Sequence, residues 1–282
     1  MSQVMNAPAL MSAVIDYIPT TGLGQLQASA KSSHTALYRS TTSLTCPAGG
    51  SQAWTYTQAV PGQWASGDRW DYTATNCGLT STLRESGRVT GIVRSSSGNW
   101  DLGGAGTLGA DLTFSAVSIS ETAIGYPYQA TLDGVVAYSM VRNAELTRIE
   151  VSATGLQLAA TEGGDQFRIT VNGAKHSVQI NVANGSYVLD NDFEMTLTST
   201  SDPTVNGTYR VGIDPVMAGT YNTGLDLFDP PSSGRLAVVG PNGAKIVLTS
   251  TGGGWVSLAV DTNGDGVVES VEAALWDNLY KR

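Results

Sequence analysis

From Thr41 onward the chain is built of short apolar-polar alternations separated by turn residues. Period-two alternation is the mark of a β-strand with one face buried. It is clearest in Asp165-Gln-Phe167-Arg-Ile169-Thr-Val171 and in Ser177-Val178-Gln-Ile180-Asn-Val182. The Asn172-Gly173 pair between them predicts a hairpin turn, and Asn184-Gly185, Asn206-Gly207 and Asn242-Gly243 repeat that signal. Further strands are expected at Gly87–Arg94, Asp111–Ile119, Tyr128–Met140, Thr147–Ala153, Phe193–Thr200, Thr208–Ile213, Gly234–Val239 and Lys245–Thr249. Turn signals recur about every ten residues with no ordinary helix between them, which predicts an antiparallel meander and excludes a parallel βαβ arrangement. The expected fold is all-β, an elongated sandwich or open β-roll, closing with a short helix after a terminal loop.

Three regions follow from this pattern. Residues 1–40 read as a short helix, Met11–Ile18 stopped by Pro19, and a Ser/Ala-rich linker. Residues 41–229 read as the meander. Asp229-Pro-Pro-Ser-Ser-Gly234 is the best internal break, so 230–282 is expected as a C-terminal β unit. No apolar run reaches the length of a membrane-spanning helix. The apolar stretch Ala7–Ile18 lacks a basic leader region and a cleavage site, so the expectation is a mature form whose leader has been removed.

Composition narrows the class. Charged residues make up only 14%, Gly reaches 33 residues, and Ser and Thr fill the polar strand positions, as in secreted bacterial β proteins. The net charge of −9 argues against nucleic acid and anionic lipid as partners.

The chemistry concentrates near the end, in Asp261-Thr-Asn263-Gly-Asp265-Gly266-Val267-Val-Glu269-Ser-Val-Glu272. Oxygen side chains at positions 1, 3 and 5, Gly at 6, a further donor at 9 and Glu at 12 are the spacing of a calcium loop. The ligands expected are Asp261, Asn263, Asp265, the Val267 carbonyl, Glu269 and Glu272. The strand-like Trp255–Val260 precedes the loop. After it, Val271, Leu275 and Leu279 fall on one face of an expected helix with Ser270 as N-cap. A second loop and a Met-lined helix pair, which a calcium sensor needs, are both missing.

Cys46 and Cys77 flank two aromatic, strand-like runs, Trp54–Thr57 and Asp68–Thr73. A hairpin of those runs would bring the cysteines together as a disulfide; two free buried thiols are the alternative. A bridge over such a loop stabilises by roughly 3–4 kcal/mol in the chain-entropy model and belongs to an oxidising compartment. Trp54, Trp64, Trp70 and Trp100 lie in the same region. They are either core around the bridge or a platform for stacking sugar rings.

The strings Cys46-x-x-Gly-Gly-Ser51, Gly67-Asp68 before an aromatic strand, Asn76-Cys77, Pro231-Ser-Ser-Gly234, Pro241-Asn-Gly243 and Asp261–Gly266 together resemble uncharacterised secreted proteins and lipoproteins of gram-negative bacteria. The resemblance implies a paired Cys46–Cys77, calcium at the terminal loop and an extracellular or cell-envelope location. It implies no activity. It departs at the N-terminus, where no lipid-accepting cysteine is present.

Catalytic patterns fail in context. Gly104-Ala-Gly106-Thr-Leu-Gly109 has the dinucleotide spacing, but strands flank it and no acidic residue follows at the right distance. His34 lies in the linker, and His176 reads as a solvated residue at a hairpin end. Asp68, Asp71, Asp101 and Asp133 read as turn carboxylates, although a glycosidase pair leaves no spacing signature. The function expected is a non-enzymatic, calcium-binding β protein with a structural, adhesive or self-assembly role. Its partner would be itself or an extracellular polymer. A carbohydrate-binding module or glycan-acting enzyme is the alternative.

Overall fold

The structure is a computed structural model that describes residues 38–61, 63–98, 104–122, 128–162, 164–222, 227–276 and 279. The expected N-terminal helix, His34, Trp100 and Asp101 lie outside them.

The chain is nearly all strand. In order these are β1 (Tyr38–Thr45), β2 (Ser51–Gln58), β3 (Arg69–Gly78), β4 (Leu83–Gly98), β5 (Gly106–Glu121), β6 (Tyr128–Arg142), β7 (Leu146–Glu162) and β8 (Asp165–Asn181). The second half adds β9 (Ser186–Ser199), β10 (Gly207–Ile213), β11 (Met217–Asn222), β12 (Leu227–Phe228), β13 (Arg235–Val239), β14 (Lys245–Gly252), β15 (Trp255–Asp261) and β16 (Ser270–Leu275). All pair antiparallel in one open sheet that runs in chain order from β1 to β10 and then through β13 to β16. The exception is β11, which pairs along Ser186–Leu189 of β9 and carries β12 on its other side. The sheet thus passes from β10 to β13 across the Asp229–Gly234 segment.

Strand β8 corrects one expectation. Asn172-Gly173 is not a hairpin turn; the two alternating runs beside it are halves of one strand. Asn172 donates to Glu194 Oε1 and Thr196 Oγ1, and the register shifts between Val171 and Gly173. The neighbouring β7 and β9 are also long, and pairing with both on either side of the shift outweighs the local turn preference.

That shift belongs to a line of irregularities crossing the sheet. The register breaks at Ala74/Cys77 in β3, Ser86/Arg88 in β4, Phe114/Val117 in β5 and Asp133/Val135 in β6. Each extra residue changes the parity of the buried side. In β7 the buried residues are Val151 and Ala153 before the break, then Leu156, Leu158 and Ala160 after it. The bulges therefore keep one face inward along strands that bend and twist sharply. They also need left-handed backbone: Asn76, Gly87, Ala116, Gly134 and Gly155 all have positive φ. A Cβ on Gly87 would lie 2.4 Å from the Ala116 carbonyl oxygen, so the strands meet there at a distance only glycine allows.

The inner face forms one core. Trp54, Tyr72, Val89 and Phe114 sit opposite one another across β2 to β5, and Met195, Leu197, Val211 and Leu248 extend the buried face toward the C-terminus.

Candidate functional site

The terminal loop joins β15 to β16. Asp261, the last residue of β15, is buried. Its Oδ1 accepts from Gly264 N at 2.7 Å and its Oδ2 from Gly266 N at 2.9 Å. Asn263 Oδ1 accepts from Asp265 N, and Asp265 Oδ1 from Val267 N. Glu269 turns back to accept from Thr262 N at 2.7 Å through Oε2. Gly264 and Gly266 take positive φ to close the loop. These bonds draw Asp261, Asp265 and Glu269 together, with one carboxylate oxygen of each within 4.8 Å of the others. This acidic group has the donor set to hold a metal ion. An all-oxygen set of this charge suits a hard divalent cation.

One expectation at this site is corrected. The helix expected from Ser270 is a strand: Ser270–Leu275 pairs with β15 from Trp255↔Leu275 to Val260↔Ser270. Helical conformation begins only at Trp276. Ser270 is therefore no N-cap, and Val271 is exposed rather than packed beneath a helix. The four-residue spacing of Val271 and Leu275 is also an even number, so it puts both on one face of a strand as readily as of a helix. Glu272 lies inside β16 opposite Leu258 and is exposed, and the carboxylates that converge are Asp261, Asp265 and Glu269.

The aromatic hairpin is formed as expected. Trp54 faces Tyr72 and Tyr56 faces Trp70 across β2 and β3. Trp54 and Trp70 are 4% exposed and belong to the core, and Trp64 packs edge-on against Tyr56 and Trp70. Trp54 and Trp70, being buried, present no ring face for a sugar to stack on. The hairpin brings Cys46 and Cys77 into a disulfide with Cα atoms 5.3 Å apart. The bridge points to an oxidising, non-cytoplasmic compartment. Gly78 packs so closely on Ala48 that a Cβ there would lie 2.6 Å from the Ala48 carbonyl oxygen.

The described carboxylates have structural work, although Asp71 and Asp133 lie inside β3 and β6 rather than at turns as expected. Asp68 is buried and accepts from Ala59 N and Ala65 N at 2.8 Å each, closing the loop between β2 and β3. Asp71 pairs with Arg88, whose guanidinium is raised above its ordinary value mainly by that hydrogen bond. Asp133 accepts from Ala116 N at 2.6 Å and so holds the left-handed residue of the β5 bulge. Gly106 and Gly109 lie within β5, which removes the dinucleotide reading.

His176 is a further correction. It is not at a hairpin end but mid-strand in β8, half-buried, opposite Val151 and Asn191. Its Nδ1 and Asn191 Oδ1 are buried without a hydrogen-bond partner. Burial pushes its pKa below the ordinary value, partly offset by the Asn191 side chain and the Asp190 carboxylate. The missed signal was parity: Ala174, His176, Val178 and Ile180 all alternate inward in one run. Beside it lies an open groove of about 580 Å³ lined by Arg94, Ser139, Arg148, Glu150, Lys175, Asp190 and Asp192 among others. Its charges are of both signs, and Arg148 pairs with Glu150.

No protein-family model, curated protein or solved structure matches the chain.

Proposed function

We propose that this protein is a non-enzymatic, secreted or cell-envelope calcium-binding β protein with a structural, adhesive or self-assembly role. The observation that carries the reading is the convergence of Asp261, Asp265 and Glu269 at the tip of the last hairpin. Three carboxylates held this close repel one another, and a divalent cation relieves the repulsion. The loop glycines and the Asn263 and Val267 oxygens supply the rest of a hard, oxygen-only shell. The ion ties β15 to β16 through residues on both sides of the loop, which is the work of a clip. The disulfide supports a location outside the cytoplasm, where calcium is abundant. The glycan-binding alternative loses its main support, since Trp54 and Trp70 are core.

Calorimetric titration of the full chain with calcium and with magnesium tests the reading. Calcium binding at one site, preferred over magnesium, is expected. No heat and no thermal stabilisation with either ion overturns it.

A further inference from the structure

Among the described residues the sheet ends at β16. Trp276 N donates to Gly254 O in the register that pairs Ala274 with Val256. The backbone groups of residues 270, 272 and 274 therefore face β15, and those of 271, 273 and 275 face away. Among the described residues β16 pairs with β15 alone. Edges are usually protected by Lys, Pro or a bulge. Ser270–Leu275 has neither residue, and its pairing with β15 has no register shift. Its outer side is apolar: Val271 is 67% exposed, Leu275 36%, and Trp255, opposite Leu275, 48%.

We propose that β16 pairs with β16 of a second copy of this chain about a two-fold axis at Ala273. This deepens the self-assembly role just proposed and does not depend on the metal. The strand is self-complementary in that arrangement. Ala273 meets the partner copy's Ala273, and Val271 meets Leu275, so all three outward-facing backbone positions meet outward-facing ones. The apolar side chains of both copies and both Trp255 rings join into one covered patch, where apolar burial favours association. Charge is compatible. Glu272, the only charged residue of β16, falls opposite Ala274 rather than a like charge. The other end of the sheet offers no such match. The outer side of β1 is Arg39, Thr41, Ser43 and Thr45, which would leave the Val271–Leu275 surface against polar groups. Two-fold pairing also closes at a dimer and does not propagate into fibres.

Sedimentation velocity on the full chain, with the oxidised Cys46–Cys77 bridge intact, gives the first test. The expected mass is twice the 29.4 kDa of one chain. Ala273→Pro removes an outward N–H and no bond to β15, so it should shift the protein to monomer with its far-ultraviolet spectrum unchanged. A second variant does not depend on tolerance of proline. Ala273→Cys adds the only free thiol, and residues facing each other at a two-fold axis in an antiparallel pair have Cα atoms about 5.5 Å apart, within disulfide reach. Mild oxidation should cross-link it quantitatively, while Ser257→Cys on the neighbouring strand should not cross-link. A monomer at every concentration, or a dimer that Ala273→Cys fails to trap, overturns the proposal. A dimer trapped instead through Thr41→Cys in β1 assigns assembly to the other edge and also overturns it.

Discussion

Glu269 and Glu272 are three residues apart, yet only Glu269 reaches the acidic group at the loop: its carboxylate accepts from Thr262 N, while Glu272 stands opposite Leu258 in β16. β16 begins at Ser270, so Glu269 stays in the loop beside Asp261 and Asp265 while Glu272 is fixed in the strand. Glu269→Gln and Asp261→Ala should each weaken calcium binding by at least tenfold, whereas Glu272→Gln should change it less than threefold. Calorimetry on the three variants decides it. Equal losses in Glu269→Gln and Glu272→Gln would show that the loop rearranges to enlist both.

The contact of Gly87 with Ala116 gives a second prediction. Gly87→Ala places a methyl against backbone at positive φ, and a loss of about 2–4 kcal/mol is expected from overpacking and backbone strain. Ala116→Gly should do the reverse, being neutral or stabilising by about 1 kcal/mol, because alanine is strained in the left-handed region. Urea midpoints of the two variants measure both.

His176 makes stability fall on acidification. Its folded pKa lies below the ordinary value near 6.5, so the unfolded chain takes up the proton first. Stability is full above pH ~6.5, declines as the pH drops below that value, and levels off beneath the folded pKa. His176→Gln should flatten this limb in melting curves. An imidazole that titrates above 6.5 in a proton NMR titration contradicts the prediction.

Tyr138 acts at the alkaline end. Burial pushes its hydroxyl up to about 12, against a slight lowering by Arg142. The unfolded phenol ionises first as the pH passes ~10, so roughly 3 kcal/mol is lost between there and pH ~12. Tyr138→Phe should remove that part of the alkaline decline. The check is the denaturation midpoint against pH for the two proteins.

Reducing the Cys46–Cys77 bridge should cost roughly 3–4 kcal/mol, lowering the melting temperature without abolishing the fold. A reduced protein with an unchanged melting temperature would show that the β2–β3 hairpin restrains the unfolded chain no more than the core already does.

Alternation and turn residues were enough to read an antiparallel meander, because each strand pairs mainly with its sequence neighbours. The disulfide was legible for the same reason: the strands between the cysteines form one hairpin. The three converging carboxylates were legible from loop spacing alone. The misreadings came where a local signal has two structural solutions. Asn172-Gly173 suits a turn or a bulge, and only the length of β7 and β9 selects the bulge. Val271 and Leu275 suit a helix or a strand, and the open side of β15 selects the strand. The displacement of β11 and β12 from the main path has no local signature, since it depends on β10 meeting β13 from a distance in sequence. The bulge line did leave a trace, the change of parity at Gly155 between Val151-Ser-Ala153 and Leu156-Gln-Leu158, which looks like ordinary irregularity until neighbouring strands repeat it.

The meander's neighbour-by-neighbour connectivity has a mechanical consequence. Load applied along the chain meets each hairpin at its end, so the ladders open one rung at a time instead of shearing together. A pull on the C-terminus should peel β16 first and pay out the sheet strand by strand at low force. The covalent link from Cys46 to Cys77 shields the segment between them from tension, leaving β2 inextensible however far the rest unzips. Pulled from both ends, the molecule is a yielding ribbon with one fixed stop near its N-terminal end.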